Sequence, residues 1–380
     1  MPDVAVVGSG PNGLAAAAVM ARAGLSVEVH EAAGTIGGGT RTAELMQPGH
    51  LHDMCSAVHP MALASPFFRA FELERRIELV VPDLSFGSAL DGGRAALAYR
   101  SLARTVQGLG RDGVAYGKLM GPLVSRIDGV MDLTQHQLIR VPQEPLAAAL
   151  FGLRTFEQGS VLWNRRFKED LAPAMLSGVA AHAVSKLPSL ASAGAGLMLT
   201  ALAHAQGWPI PVGGSASIAA ALEADVRAHG GVIHTGSPIE SLKQLGGARA
   251  VLLDVAPRGL VHIAGDQLPG KYGRSLESFR YGNGSCKVDY ILSGPVPWAA
   301  RELADAGTVH VGGTRAELAR AENEVFAGKH PERPYVLVAQ PSRFDACRAP
   351  AGHQVLWAYC HVPAGSTRDM GEAVTAQLER

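Results

Sequence analysis

The sequence predicts an α/β fold in which a nucleotide-binding unit is interleaved with a helical and mixed-sheet (α+β) cap. Three observations carry this expectation. The first forty residues run strand, glycine-rich turn, helix, strand; residues 61–205 are dominated by helical patterning; and strand segments return after residue 207.

Val4–Val7 holds no polar residue and is mostly β-branched, the pattern of a short strand buried on both faces. Gly8-Ser9-Gly10-Pro11-Asn12-Gly13 follows, and Leu14–Ala23 then propagates as an Ala-rich helix closed by Gly24. A second strand, Ser26–His30, ends on Glu31. This strand–GxGxxG–helix–strand–acid order is the Rossmann-like unit that binds the ADP half of a dinucleotide. Gly8 makes the tight turn, Gly10 lets backbone approach a pyrophosphate, and Gly13 lets the helix sit close on the strand. Pro11 and Asn12 open the helix, whose free N–H groups and dipole favour phosphates. Glu31, followed by Ala32, is placed to accept hydrogen bonds from ribose hydroxyls. Gly37-Gly38-Gly39-Thr40-Arg41 comes soon after and reads either as a flexible loop or as a second cofactor motif.

A chain of 380 residues suggests two domains, each able to hold its own core. Lys+Arg equals Asp+Glu at 34 each, so no net field draws the protein to nucleic acid or an anionic membrane. Cys55, Cys286, Cys347 and Cys360 show neither CxxC pairing nor metal spacing, which fits structural thiols in a reducing compartment. A strand beginning at Asp3 leaves no room for a leader, so the expected location is the cytoplasm. From Leu187 to Leu222 there is no charged residue. Pro188, Gly194, Gly196, His204 and Gln206 interrupt it below the ~20 apolar residues of a membrane span. A buried helix over about Ser189–Ala205 fits; an apolar cavity wall or peripheral membrane contact is the other reading. Arg165-Arg166-Phe167-Lys168 is the one tight basic cluster and reads as a solvated helix face.

Within 61–205, Asp91-Gly92-Gly93 marks a hairpin over Leu84–Tyr99. Helices are expected over about 112–129, 145–153, 156–166 and 171–184. Ser215 or Ser217 can cap a helix whose Ile218, Leu222 and Val226 share a face, followed by strands Val232–Thr235 and Ala250–Val255. The last third reads as strands with one helix, apart from the terminal helical pattern of Met370, Val374 and Leu378. Lys287 and Asp289 share one strand face, as solvent-facing guards or as a polar cavity wall. Trp357, Tyr359 and His361 share another, as a pocket floor or as core. The resulting division is 1–80 with 207–265 for the nucleotide-binding domain, and 81–206 with 266–380 for the cap.

The segments Gly8–Thr42, Pro48–Pro60, Gly207–Glu240, Tyr281–Leu292 and His361-Val362-Pro363 together resemble the phytoene dehydrogenase-related NAD(P)/FAD-dependent oxidoreductases. The resemblance implies FAD as cofactor. Gly38, Gly39 and Thr40 would lie along its pyrophosphate and ribityl chain, with Arg41 reaching toward a phosphate. Asp53 and His59 would stand near the flavin ring, and Ile239 would meet adenine through its backbone. Family members continue with a further helix and a Gly-rich segment closing over the flavin. This sequence stops at Arg380, which leaves one wall of the flavin site unaccounted for.

The implied activity is hydride transfer from or to a small apolar substrate, as in a desaturase, saturase or oxidase. No Ser/His/Asp or paired-carboxylate constellation stands out, consistent with a cofactor that carries the chemistry. His59, Lys287 and His361 are the candidates for a catalytic role, with none singled out, and no metal site is expected. The alternatives are an amine oxidase-like C–N oxidation and a non-catalytic nucleotide-binding regulator. Oligomeric state is not read from the sequence.

Overall fold

The structure is a computed structural model and describes residues 1–137 and 139–380. The opening β-branched run forms Val4–Val7 in a parallel sheet ordered Ala250–Leu253, Val4–Val7, Val27–His30, Val232–His234. Helix Pro11–Arg22 lays Leu14, Ala17, Ala18 and Ala21 on one sheet face, beside Ile218, Leu222 and Val226 of helix Ala216–Ala228. The alanines let both helices approach closely, and Val4, Val6, Val27, Val29 and Ile233 fill the space beneath. Ala5 and Val7 point the other way, onto Leu245 and Ile263. The strand pattern therefore buries both faces, as a parallel sheet requires.

A second, mixed sheet has the order Gly284–Leu292, Gln354–Val362, Val336–Ala339, Ala306–Val311, Leu84–Leu90, Arg94–Tyr99. Only Ala306–Val311 and Leu84–Leu90 run parallel; the other neighbours are antiparallel. The expected hairpin turns at Gly92 and Gly93, both at positive φ (77° and 71°). Helices Gly113–Val124, Pro145–Gln158, Leu171–Ala180 and Leu190–Ala205 cover one side of this sheet, around Phe86, Tyr116 and Trp208.

The uncharged stretch resolves mainly as core, and its Leu199, Trp208 and Ile218 also line the cavity described below. Helix Leu190–Ala205 starts at a Ser189 capping box, and a Cβ on Gly196 would stand 2.8 Å from Ala180 Cα. Small residues are there because two helices touch. Among the described residues no helix is long and apolar enough to cross a membrane.

Four expectations are corrected. The basic cluster is not a helix face: it follows a short 3-10 turn (Val161–Asn164), Arg166 pairs with Glu157, and Phe167 is buried in the helical core. The expected helix over 156–166 is instead the end of Pro145–Gln158 plus that turn, divided at Gly159. The last third holds helices Pro257–Ala264, Gly270–Glu277 and Arg315–Phe326, where one was expected. Two of them are eight residues long, too short for a clear periodic signal. Finally, Ser215 occupies the cap position of Ala216–Ala228, but its hydroxyl makes no capping bond. It bonds outward, as described next.

Candidate cofactor and substrate site

Val4–Val7 delivers Gly8 at φ 99°, where a Cβ would stand 2.4 Å from Asp254 O. Gly13 is equally constrained, since its Cβ would meet Gly8 O at 2.1 Å. Both glycines are therefore demanded by packing. Gly10 and Gly38 face each other across the turn, with a Gly38 Cβ 3.1 Å from Gly10 Cα. Gly37 N–H donates to Ser9 O at 2.9 Å, so the two glycine segments meet as one cradle.

Glu31 closes that cradle. Its Oε2 accepts from Ser9 N–H (3.0 Å) and Ser9 Oγ (2.6 Å), and its Oε1 accepts from Ala33 N–H (2.9 Å). A carboxylate has about four lone-pair sites, so about one remains for a ribose hydroxyl. Burial acts to raise the Glu31 acid, but the bonds from Ser9 and Ala33, with Arg41 nearby, outweigh it and hold it below the usual range. Ala32, Gly39 and Asn12 are exposed on the cradle, and Pro11 fills the first helical position. Thr40 is buried, its Oγ1 donating to Gly37 O at 2.7 Å. Arg41 Nε donates to Gly38 O at 2.9 Å and so braces the same turn.

The segment carrying Ile239 is tied to this cradle by its start: Gly236 N–H donates to Ala33 O and Ser237 N–H to Glu31 O, both at 2.8 Å. Ile239 itself packs its side chain with Ala5, Val7 and Leu245. One residue had no sequence signal. Asp254, at the end of Ala250–Leu253, accepts Gly13 N–H through Oδ2 at 2.8 Å. It brings a carboxylate to the opening of helix Pro11–Arg22, from 241 residues away.

These residues fit a dinucleotide. The cradle has room only for backbone, and an acceptor stands at the end of the second strand beside the opening of helix Pro11–Arg22. Glu31, Gly10, Asn12 and Gly38–Thr40 would hold the ADP portion.

Beyond Gly39 lies a cavity of about 760 Å³. A Cβ on Gly39 would touch Cys55 Sγ at 3.7 Å, and Cys55 lines the cavity, so cradle and cavity are contiguous. Its walls come from the 54–62 loop and from Trp208, Trp357, Tyr359, Lys287 and His182. Lys287 is the one charged side chain on the described wall, and it pairs with Asp289, which also accepts from His52 Nδ1 (3.1 Å). Of the two readings for Lys287 and Asp289, Lys287 thus belongs to the cavity wall.

Asp53 does not face the cavity. Its Oδ1 accepts from Thr42 Oγ1 (2.6 Å) and Ser215 N–H (2.8 Å), and its Oδ2 pairs with Arg348 (2.8 Å), with Asp53, Ser215 and Arg348 fully buried. Its role is to lock the loop. His59 does line the cavity, its Nε2 2.7 Å from Ser215 Oγ. Ser215 spends its own hydroxyl proton on Ser56 O (2.5 Å), so His59 Nε2 carries the hydrogen and Nδ1 is its free acceptor. Burial lowers His59 to about 4, with Asp53 acting against it and Arg348 with it. Trp357 and Tyr359 stand edge-on at 5.1 Å and line the cavity. His361, on the same strand face, lies outside the lining, buried against Glu322 (Nδ1 to Oε2, 2.8 Å). That trio is part floor, part core.

A family model described as an NAD(P)-binding Rossmann-like domain matches residues 6–71. No curated protein matches the chain. Among solved structures, an oxidoreductase from Methanosarcina mazei is similar at TM-score 0.59 and 16% identity, covering 99% of this chain and 82% of that one. A putrescine oxidase with redesigned cofactor binding reaches 0.57 at 18%, covering 100% and 77%. A Rab GDI from Plasmodium falciparum reaches 0.58 at 10%, covering 99% and 85%. At these identities the likeness establishes the shared fold.

Proposed function

We propose that the chain is an FAD-dependent oxidoreductase that moves hydride from or to a small apolar substrate, desaturase- or saturase-like. The observation that carries this reading is the contiguity of cradle and cavity through Gly39 and Cys55. A dinucleotide held by Glu31 and Gly10 would extend past Gly38–Thr40 and present its far end to the cavity. Flavin supplies the two-electron chemistry when bound. The protein binds, orients and excludes water: Met54, Val58, Trp208 and Trp357 offer apolar wall, while His59 stays neutral at physiological pH. Within the phytoene dehydrogenase-related group, the glycine motifs and the segments after them resemble pyridine nucleotide-disulphide oxidoreductase domain-containing protein 2. The described cavity wall has a single cysteine, Cys55, so disulfide chemistry is not part of the proposal.

Amine oxidation is the second reading, supported by the perpendicular Trp357–Tyr359 pair and the fold shared with putrescine oxidase. Against it, the described wall carries the Lys287 ammonium and offers no carboxylate to a cationic amine. A non-catalytic nucleotide-binding role is the outcome if flavin binds but does not cycle. The test is flavin absorbance of the purified protein, before and after incubation with FAD, then anaerobic bleaching by polyenes or by amines. The proposal expects a yellow protein bleached by the former. A protein that takes up no FAD overturns it.

A further inference from the structure

Beside the cavity lies a histidine pair that the proposed reaction does not use. His182 and His310 approach through their Nε2 atoms at 2.9 Å, against the indole of Trp208. His182 sits on the 3-10 turn Ala181–Ala183 and lines the cavity; His310 lies behind it on strand Ala306–Val311. Burial lowers His182 to about 3, with His361 adding to it, and holds His310 well below its usual range, with His182 adding to it, so both rings are neutral. Two neutral imidazoles joined through Nε2 share one hydrogen, and its position fixes the tautomer of each.

The surroundings of His310 decide that position. Its Nδ1 is buried and without a partner. Gly178 packs over the ring: a Cβ there would stand 2.8 Å from Nδ1 and 2.9 Å from His310 Cβ and Cγ, which leaves no space for a partner from that side. A buried N–H with no acceptor costs more than a buried bare lone pair. His310 therefore carries its hydrogen on Nε2 and donates to His182 Nε2. His182 must then carry its own hydrogen on Nδ1, which has no hydrogen bond among the described residues. Val184, directly after this turn, takes φ 48°, a left-handed backbone rare for a β-branched residue, so the turn is held in place despite strain.

The geometry points to His182 Nδ1–H as a fixed neutral donor on the cavity wall that recognises an oxygen acceptor, such as a carbonyl, on an otherwise apolar substrate. This rests on the oxidoreductase reading for its substrate but not for its chemistry. It narrows the substrate class from pure hydrocarbon to an oxygen-bearing apolar molecule.

The test pairs two planar probes of equal shape, 2-acetylnaphthalene and 2-isopropenylnaphthalene, with binding measured by equilibrium dialysis. His182→Phe is expected to weaken the ketone roughly fivefold, the worth of one neutral hydrogen bond, and to leave the alkene unchanged. His182→Gln, which keeps an N–H donor, should restore part of the ketone's affinity. Equal weakening of both probes, or of neither, overturns the inference. If His182→Phe does not fold, ¹⁵N-histidine NMR of the unmodified chain decides. The two rings are recognised by coupling across their Nε2···Nε2 bond, and hydrogen on His310 Nδ1 overturns the assignment. FAD uptake is measured in parallel. Probe discrimination in a chain that takes up no FAD sinks the oxidoreductase reading alone; FAD uptake without discrimination sinks the donor alone.

Discussion

Arg348 Nη1 and Asp53 Oδ2 meet at 2.8 Å with both side chains fully buried, joining residues 295 positions apart. Arg348 also pairs with Asp345 through Nε (2.7 Å) and donates to Pro211 O (3.1 Å). A buried charge pair is weak evidence of net stabilisation, but removing one partner strands the others. Arg348→Met should therefore cost about 3–5 kcal/mol, read by urea denaturation. Asp53→Asn added to it should recover part of the loss. If Arg348→Met is neutral, the network does not hold the 54–62 loop.

Asp254 and the helix opening predict cofactor affinity. The Asp254 carboxylate stands where the cradle would receive phosphate charge, and Asn can still accept Gly13 N–H. Asp254→Asn should tighten FAD binding, more strongly at low salt, by fluorescence titration. Gly10→Ala, whose Cβ would lie 3.1 Å from Asp254 Oδ2, should keep the fold and lose FAD by tenfold or more. Unchanged affinity in both variants would place the nucleotide elsewhere.

Acid sensitivity follows from buried histidines. Burial lowers His59 and His204 to about 4 and His182 to about 3, and holds His310 well below the ordinary 6.5. The folded state holds them neutral while the unfolded chain protonates below 6.5, so unfolding takes up protons. Their contribution is complete above 6.5 and is lost as pH falls from there toward 4, at about 1.4 kcal/mol per pH unit for each histidine. Denaturation midpoints from neutral pH down to 5 should fall steeply, and His59→Asn should flatten that slope by one histidine's share. A flat profile contradicts the burial.

Thiol labelling maps the cofactor without activity. Cys55 and Cys347 are exposed, Cys360 is buried, and burial raises Cys360 to about 12. Cys55 and Cys347 should react first and Cys360 only on unfolding. Saturating FAD should protect Cys55, next to Gly39, and leave Cys347 as reactive as before. Equal protection of both, or of neither, would move the flavin away from Gly39.

The glycine cradle was legible because it is local. Gly8, Gly10, Gly13, Glu31 and Gly37–Arg41 are close in sequence, and turn geometry, helix dipole and strand periodicity act over that range. The hairpin at Gly92-Gly93 and the apolar helix at Leu190–Ala205 were legible for the same reason.

What the tertiary structure alone decided lies between distant segments. Asp254 at the helix opening, Arg348 against Asp53, and His182 on His310 are contacts whose partners carry no mutual sequence signal. The sequence shows four scattered cysteines, yet strand register sets Cys286 opposite Cys360, with both thiols free. Nor could residue type tell that His361 turns to Glu322 while Trp357 and Tyr359 face the cavity, since all three share one strand face. Local chemistry determined the glycine cradle; sheet order and helix packing determined which side chains wall the cavity beside it.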